Sequence, residues 1–166
     1  MHLALTGIFR AHWSAEVHEE WIRNLLKNRP DLTPDKLDRT RQLMDKALPD
    51  ALVAGYEHLV DSIELPDRDD RHVLAAAIHC RANVIVTLNL GDFPAQALGK
   101  FSIEAQHPDD FVLALLESFP DLVTDAAKTH RISLKNPART PDEYLAELEE
   151  QGLVKTVVAL RELAIH

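Results

Sequence analysis

One thiol, Cys80, is the only cysteine in this 166-residue sequence. With no partner there is no disulfide framework and no CxxC zinc knuckle, which fits a reducing compartment. No apolar run approaches the roughly 18 residues that span a bilayer, and Met-His-Leu-Ala-Leu-Thr-Gly lacks the basic start and apolar stretch of a secretory leader. A soluble, cytoplasmic protein with no membrane partner is expected. Phosphate-cradling and serine-hydrolase motifs are missing too: there is no GxGxxG, no P-loop and no GxSxG. His18-Glu19-Glu20 is not HExxH, and the nine histidines fall at no repeated metal spacing. Basic charge is scarce, with 18 Lys and Arg against 27 Asp and Glu for a net −9. That balance argues against sequence-independent coating of nucleic acid through many phosphate contacts. It leaves room for a nucleic-acid enzyme, because a bound divalent cation reverses the local sign and Arg68, Arg71 and Arg81 offer a local patch.

What is present suits one domain with a real core, since 46% of the residues are apolar. Residues 1–6 read as the last turns of a helix stopped by Gly7. Residues 8–13 read as a short strand, and Ser14 as the cap of a helix to about Asn28, with Val17, Trp21 and Leu25 in one core-facing row and Glu20 at its edge. Thr33-Pro34 opens a second helix that ends before Pro49, and residues 51–54 suit a short strand. Asp67 and Asp70 are spaced like a capping box for a nearly all-apolar helix to about Arg81, which must be buried, most simply against a sheet. Residues 84–87 read as a central parallel strand ending on an acidic loop, and residues 101–105 as another short strand. Helices over about 94–98 and 108–117 complete an α/β pattern. Past Pro120 two or three helices follow with no strand candidate.

In open α/β sheets ligands bind beyond the carboxyl ends of the strands. Asp92 follows the 84–87 strand on that side, Asp70 opens the helix before it, and Glu20 lies in the early turns of the helix after the 8–13 strand. Carboxylates that converge without neutralising lysine or arginine suit a hard divalent cation. Taken singly, each acid has a plainer reading: Asp67 and Asp70 as helix caps, Asp92 as a turn residue, Glu20 as a solvated helix position. His72 reads as a helix-surface histidine. The combination carries the information.

That combination is Asp70-x-x-x-Leu74-Ala75-Ala76-Ala77, then Val84-Ile85-Val86-Thr87-x-Asn89-x-x-Asp92-Phe93, and it resembles the C-terminal half of a PIN domain. The segment from Trp13 to Glu20 is similar to the family's second-strand serine followed six residues later by the second acid, which falls on Glu20 with Glu19 its lesser alternative. Residues 103–111 resemble the last strand and closing helix. The resemblance implies an α/β fold, a PIN-like three-layer domain over residues 1–118 with a short parallel sheet flanked by helices, and an α-helical extension over 119–166. It further implies a metal-dependent ribonuclease toxin, VapC-like, of a type II toxin–antitoxin system. Its cofactor would be Mg²⁺ or Mn²⁺, with Glu20, Asp70 and Asp92 as catalytic metal ligands and Thr87 and Asn89 in support. The implied partners are RNA as substrate, a DNA-binding antitoxin protein and further copies of the chain in a homo-oligomer.

In that family the first of four acids ends a first strand that lies mid-sheet, between the strands matched here by residues 8–13 and 84–87. This sequence starts after it. The absence predicts weak or absent cleavage, and unpaired groups at the gap each cost on the order of 1–3 kcal/mol unless something replaces the lost hydrogen bonds. Three routes are open: Met1 is an internal methionine of a longer protein, another chain supplies a strand, or the sheet closes up differently. The alternative function is a catalytically inactive PIN-like module that acts by binding or oligomerisation, for which Leu145, Leu148, Leu153, Val157 and Leu160 form a partner surface as easily as a core.

Overall fold

In the computed structural model, residues 1–164 are described, so the last two positions of the expected extension lie outside the described residues. The chain divides into two compact units: residues 10–85 with 89–105, and residues 1–9 with 86–88 and 106 onward.

The first of these is the α/β unit. Strand β1 (Trp13–Ser14) runs parallel to β2 (Leu52–Val53), with Trp13 opposite Leu52 and Ser14 opposite Val53. Between them lie α1 (Ala15–Asn28) and α2 (Pro34–Ala47). Both helices start where the capping residues stand: the Ser14 hydroxyl accepts the Val17 N–H at 3.2 Å, and the Thr33 hydroxyl accepts the Lys36 N–H at 3.4 Å ahead of Pro34. Then come α3 (Glu57–Val60), α4 (Arg71–His79), β3 (Val84–Val86), a 3₁₀ turn (Leu90–Asp92), α5 (Ala95–Leu98) and β4 (Glu104–Gln106). Glu104 N–H reaches the Asn83 carbonyl within this unit, and Thr87 N–H the Gln106 carbonyl within the second, each at 3.0 Å, a parallel pattern for β3 and β4, whose last residues Val86 and Gln106 belong to the second unit.

The expected buried helix is α4. Leu74 and Ala75 are fully enclosed among Ile63, Ile85 and Leu98. Small alanines let the helix approach its neighbours closely, and each large apolar side chain buried here contributes about 1.5–3 kcal/mol.

Several expectations need correction. The strand over 8–13 contracts to Trp13–Ser14, and the stripe on α1 is half-buried at Val17 and Trp21 rather than fully enclosed. Leu25 is exposed, while His18 is the buried residue of the helix. Its Nδ1 accepts the Trp21 indole N–H at 2.9 Å and its Nε2 donates to Asp45 Oδ1 at 3.0 Å, so both ring nitrogens are satisfied. The Asp67/Asp70 capping box does not form. Asp67 Oδ1 instead accepts the Asp69 N–H at 2.9 Å, and Asp70 occupies the cap position of α4 with no cap hydrogen bond from its side chain. Nor is there one sheet: β1–β2 and β3–β4 are separate two-stranded pairs among the described residues.

The second unit is helical. A 3₁₀ turn (Ala4–Thr6) ends at Gly7, whose φ of 77° is the left-handed stop. It is joined in this unit by α6 (Pro108–Ser118), α7 (Pro120–Ser133), α8 (Pro141–Glu150) and α9 (Val154–Ala164), with α6 against α7 and α9, and α8 against α9. Proline sits at the start of α6, α7 and α8, and Thr140 with Glu143 makes a capping box on α8. The core is small, built on Leu116, Val123 and Leu160. Asp109 ties it together: its carboxylate accepts the backbone N–H groups of Lys155 and Thr156 at 2.8 and 2.9 Å and the Thr156 hydroxyl at 2.8 Å. A cavity of about 330 Å³ opens beside this core, with His2, His130, Ser133, Tyr144 and Thr156 in its polar lining.

Candidate functional site

The acid-bearing elements of the α/β unit are placed by its shortest pieces. Ser14 ends β1 and begins α1, so Glu16 and Glu20 follow at fixed helical phase, one turn apart on the same side. Asp70 stands at the mouth of α4, half-buried, with its carboxylate unspent on capping. Strand β3 leads into the 3₁₀ turn that carries Asp92, whose Oδ2 accepts the Asn89 side-chain amide.

Electrostatics connect these positions. Burial, and then the charges of Asp92, Asp67 and Glu20, push the Asp70 carboxyl above its ordinary range, against a smaller downward pull from His72. Three carboxylates therefore act on Asp70. The spacing is looser than a finished cage: among the described residues no three His, Cys, Asp or Glu side chains close into a metal-binding group. Thr87 is half-buried and belongs to the helical unit, where its N–H donates to the Gln106 carbonyl. Glu19 is exposed, whereas Glu20 is half-buried.

His72 corrects the reading of it as a surface residue. It is 6% exposed and its Nε2 lies 2.8 Å from Glu20 Oε1. Its Nδ1 is buried without a hydrogen bond, 4.0 Å from Glu16 Oε2, while Glu16 Oε1 accepts the Tyr56 hydroxyl at 2.9 Å. The sequence does not single out Glu16 or Tyr56 as site residues. The four-residue spacing of Glu16 and Glu20 was the available signal, since it puts both on one helical face.

Comparison with known proteins gives two matches along the chain. A model described as "PIN domain" matches residues 1–91, and one described as "VapC50 C-terminal domain" matches residues 108–162. A Mycobacterium tuberculosis protein named "Putative ribonuclease VapC50" is 42% identical over 105 residues, 61% of this chain. The match spans 59% of that relative's length. No solved structure matches. With its Asp70 helix, its short parallel strand pairs and a family match over more than half its length, the chain belongs to the PIN-domain family.

Proposed function

We propose that this chain is a VapC-type toxin that hydrolyses RNA phosphodiesters with a divalent cation held by Glu20, Asp70 and Asp92. The observation that carries the reading is the state of Asp70: a half-buried carboxylate, free of any capping duty, is driven upward by burial and by neighbouring acids. A hard cation relieves that repulsion, and the donor set suits it because every candidate ligand is a carboxylate oxygen. Mg²⁺ or Mn²⁺ fits on those grounds. When bound, such an ion supplies a more acidic water and positive charge for the phosphoryl oxygens.

The chain's own residues do the rest. Asp70 and Asp92 supply charge from the start of α4 and the loop after β3, and Glu20 supplies it from α1. The amide of Asn89 fixes one oxygen of Asp92, which limits how far that carboxylate swings. Exposed Arg68, two residues before Asp70, offers a cation to the RNA backbone. The name of the mycobacterial relative supports ribonuclease chemistry. By the same reading, the substrate is RNA, the partner is a DNA-binding antitoxin, and the protein works in the cytoplasm as a homo-oligomer. The test is RNA degradation with and without Mn²⁺ by the wild type and by Asp70→Asn. Activity that needs the metal and disappears in the variant supports the reading, and equal activity in both defeats it.

The divided sheet favours a second reading, an inactive PIN-like binding module. Thermal melting across a Mg²⁺ or Mn²⁺ titration separates the two. No stabilisation at millimolar metal supports the module, whereas stabilisation that Asp70→Asn abolishes supports the metal site.

A further inference from the structure

Glu20 is a long, flexible side chain, and a ligand of that kind binds well only when something holds it. The structure supplies a holder. His72 lies in the first turn of α4, 94% buried by its 6% exposure, and meets Glu20 across a separation of 52 residues. A carboxylate only accepts hydrogen bonds, so the 2.8 Å contact places the proton on Nε2, donating to Glu20 Oε1. The ring also lies 4.0 Å from Glu16 Oε2 by its unpartnered Nδ1, and Glu16 is anchored in turn by the Tyr56 hydroxyl. A buried imidazole set between two acids of one helical face has little freedom to turn away.

We infer that His72 is a positioning residue: its Nε2–H clamps one oxygen of Glu20 and leaves the other, Oε2, for the cation, an inference that rests on the metal-site reading above. Clamping removes a search that a free glutamate would have to complete on every binding event. Outer partners that orient metal-ligating side chains in this way commonly change affinity by about 10–100-fold when removed.

The test is Mn²⁺ binding to the full chain, followed by the electron paramagnetic resonance signal of the free ion, with each variant's fold checked by melting. His72→Phe keeps the ring volume and loses the donor, whereas His72→Gln keeps an N–H that reaches Glu20. Should the phenylalanine variant not fold, His72→Leu takes its place. The expected result is at least about tenfold weaker binding for His72→Phe, binding within about threefold of wild type for His72→Gln, and none for Asp70→Asn. Wild-type affinity in His72→Phe, with Asp70→Asn still unable to bind, overturns the role of His72 and leaves the metal site standing. Loss as severe in His72→Gln as in His72→Phe also overturns it, because the donor would then be irrelevant. No binding by the wild type, or undiminished binding by Asp70→Asn, removes the metal site and His72's role with it.

Discussion

Two aspartates at helix starts, one in each unit, meet opposite fates. Asp109 in the helical unit is 4% exposed, yet its carboxyl sits below its ordinary range. Burial works to raise it, but donors from Thr156 and Lys155 outweigh that burial. Asp70 in the α/β unit is more open and sits above its ordinary range, because burial raises it and the charges of Asp92, Asp67 and Glu20 then add to that rise where donors offset it at Asp109. Depth alone therefore does not decide the state of a carboxylate; the groups facing it do. One aspartate is spent on stability, and the other is kept available at stability's expense.

The largest expected effect tests the spent one. Asp109→Ala leaves two backbone N–H groups and a hydroxyl without their acceptor beside Thr156, which is 1% exposed, and should cost about 3 kcal/mol by urea unfolding. A loss below about 1 kcal/mol would show that the tie between α6 and α9 is not where the helical unit draws its strength.

Cap removal comes next. Ser14→Ala should cost about 1 kcal/mol, because the Val17 N–H loses its partner at the start of α1. Measured alongside Asp109→Ala, it ranks a local cap against a long-range one.

The pH dependence sharpens the contrast through its sign. Asp109 has a depressed folded pKa, so its contribution is complete above the unfolded aspartate value of about 3.9 and is lost as pH falls through the lower folded value. Asp70 has a raised one, so its ionised form burdens the fold at neutral pH, and that burden lifts as pH falls through its folded value. Melting curves from pH 7 to 3 should accordingly show Asp70→Asn more stable than wild type at pH 7, by on the order of 1–2 °C, with the gap closing on acidification. A gap that widens on acidification would reverse the assignment. The Asp109→Ala difference should instead persist down to about pH 4 and shrink below it.

Much of this architecture was legible from punctuation. Ser14, Thr33-Pro34, Pro108 and Pro120 mark helix starts in the sequence, and the helices start there. The apolar run through Leu74 to Ala77 announced a buried helix for a simple reason: nothing polar on it needs water. What failed was whatever depended on distant partners. His18 looks like a polar interruption of an apolar stripe until Trp21 and Asp45 satisfy its ring, and Asp45 lies 27 residues away. His72 likewise owes its burial to residues on α1. The Asp67/Asp70 spacing suggested a cap, but Asp67 spends its oxygen on the turn at Asp69, two residues on, and so the helix begins later. Of the candidate site, Glu20, Asp70 and Asp92 were readable as positions. The orientation imposed on Glu20 was not, because no local spacing encodes it.

The double duty of Ser14 makes the acidic face indivisible from the strand before it. This residue, with no exposed surface, is both the end of β1, paired with Val53, and the cap of α1. There is no slack between strand and helix. A single residue inserted between Ser14 and Glu16 would rotate everything after it by about 100° and swing both glutamates off His72. Lineages that carry this histidine clamp should therefore tolerate substitutions at Ala15 far better than any change in the number of residues there.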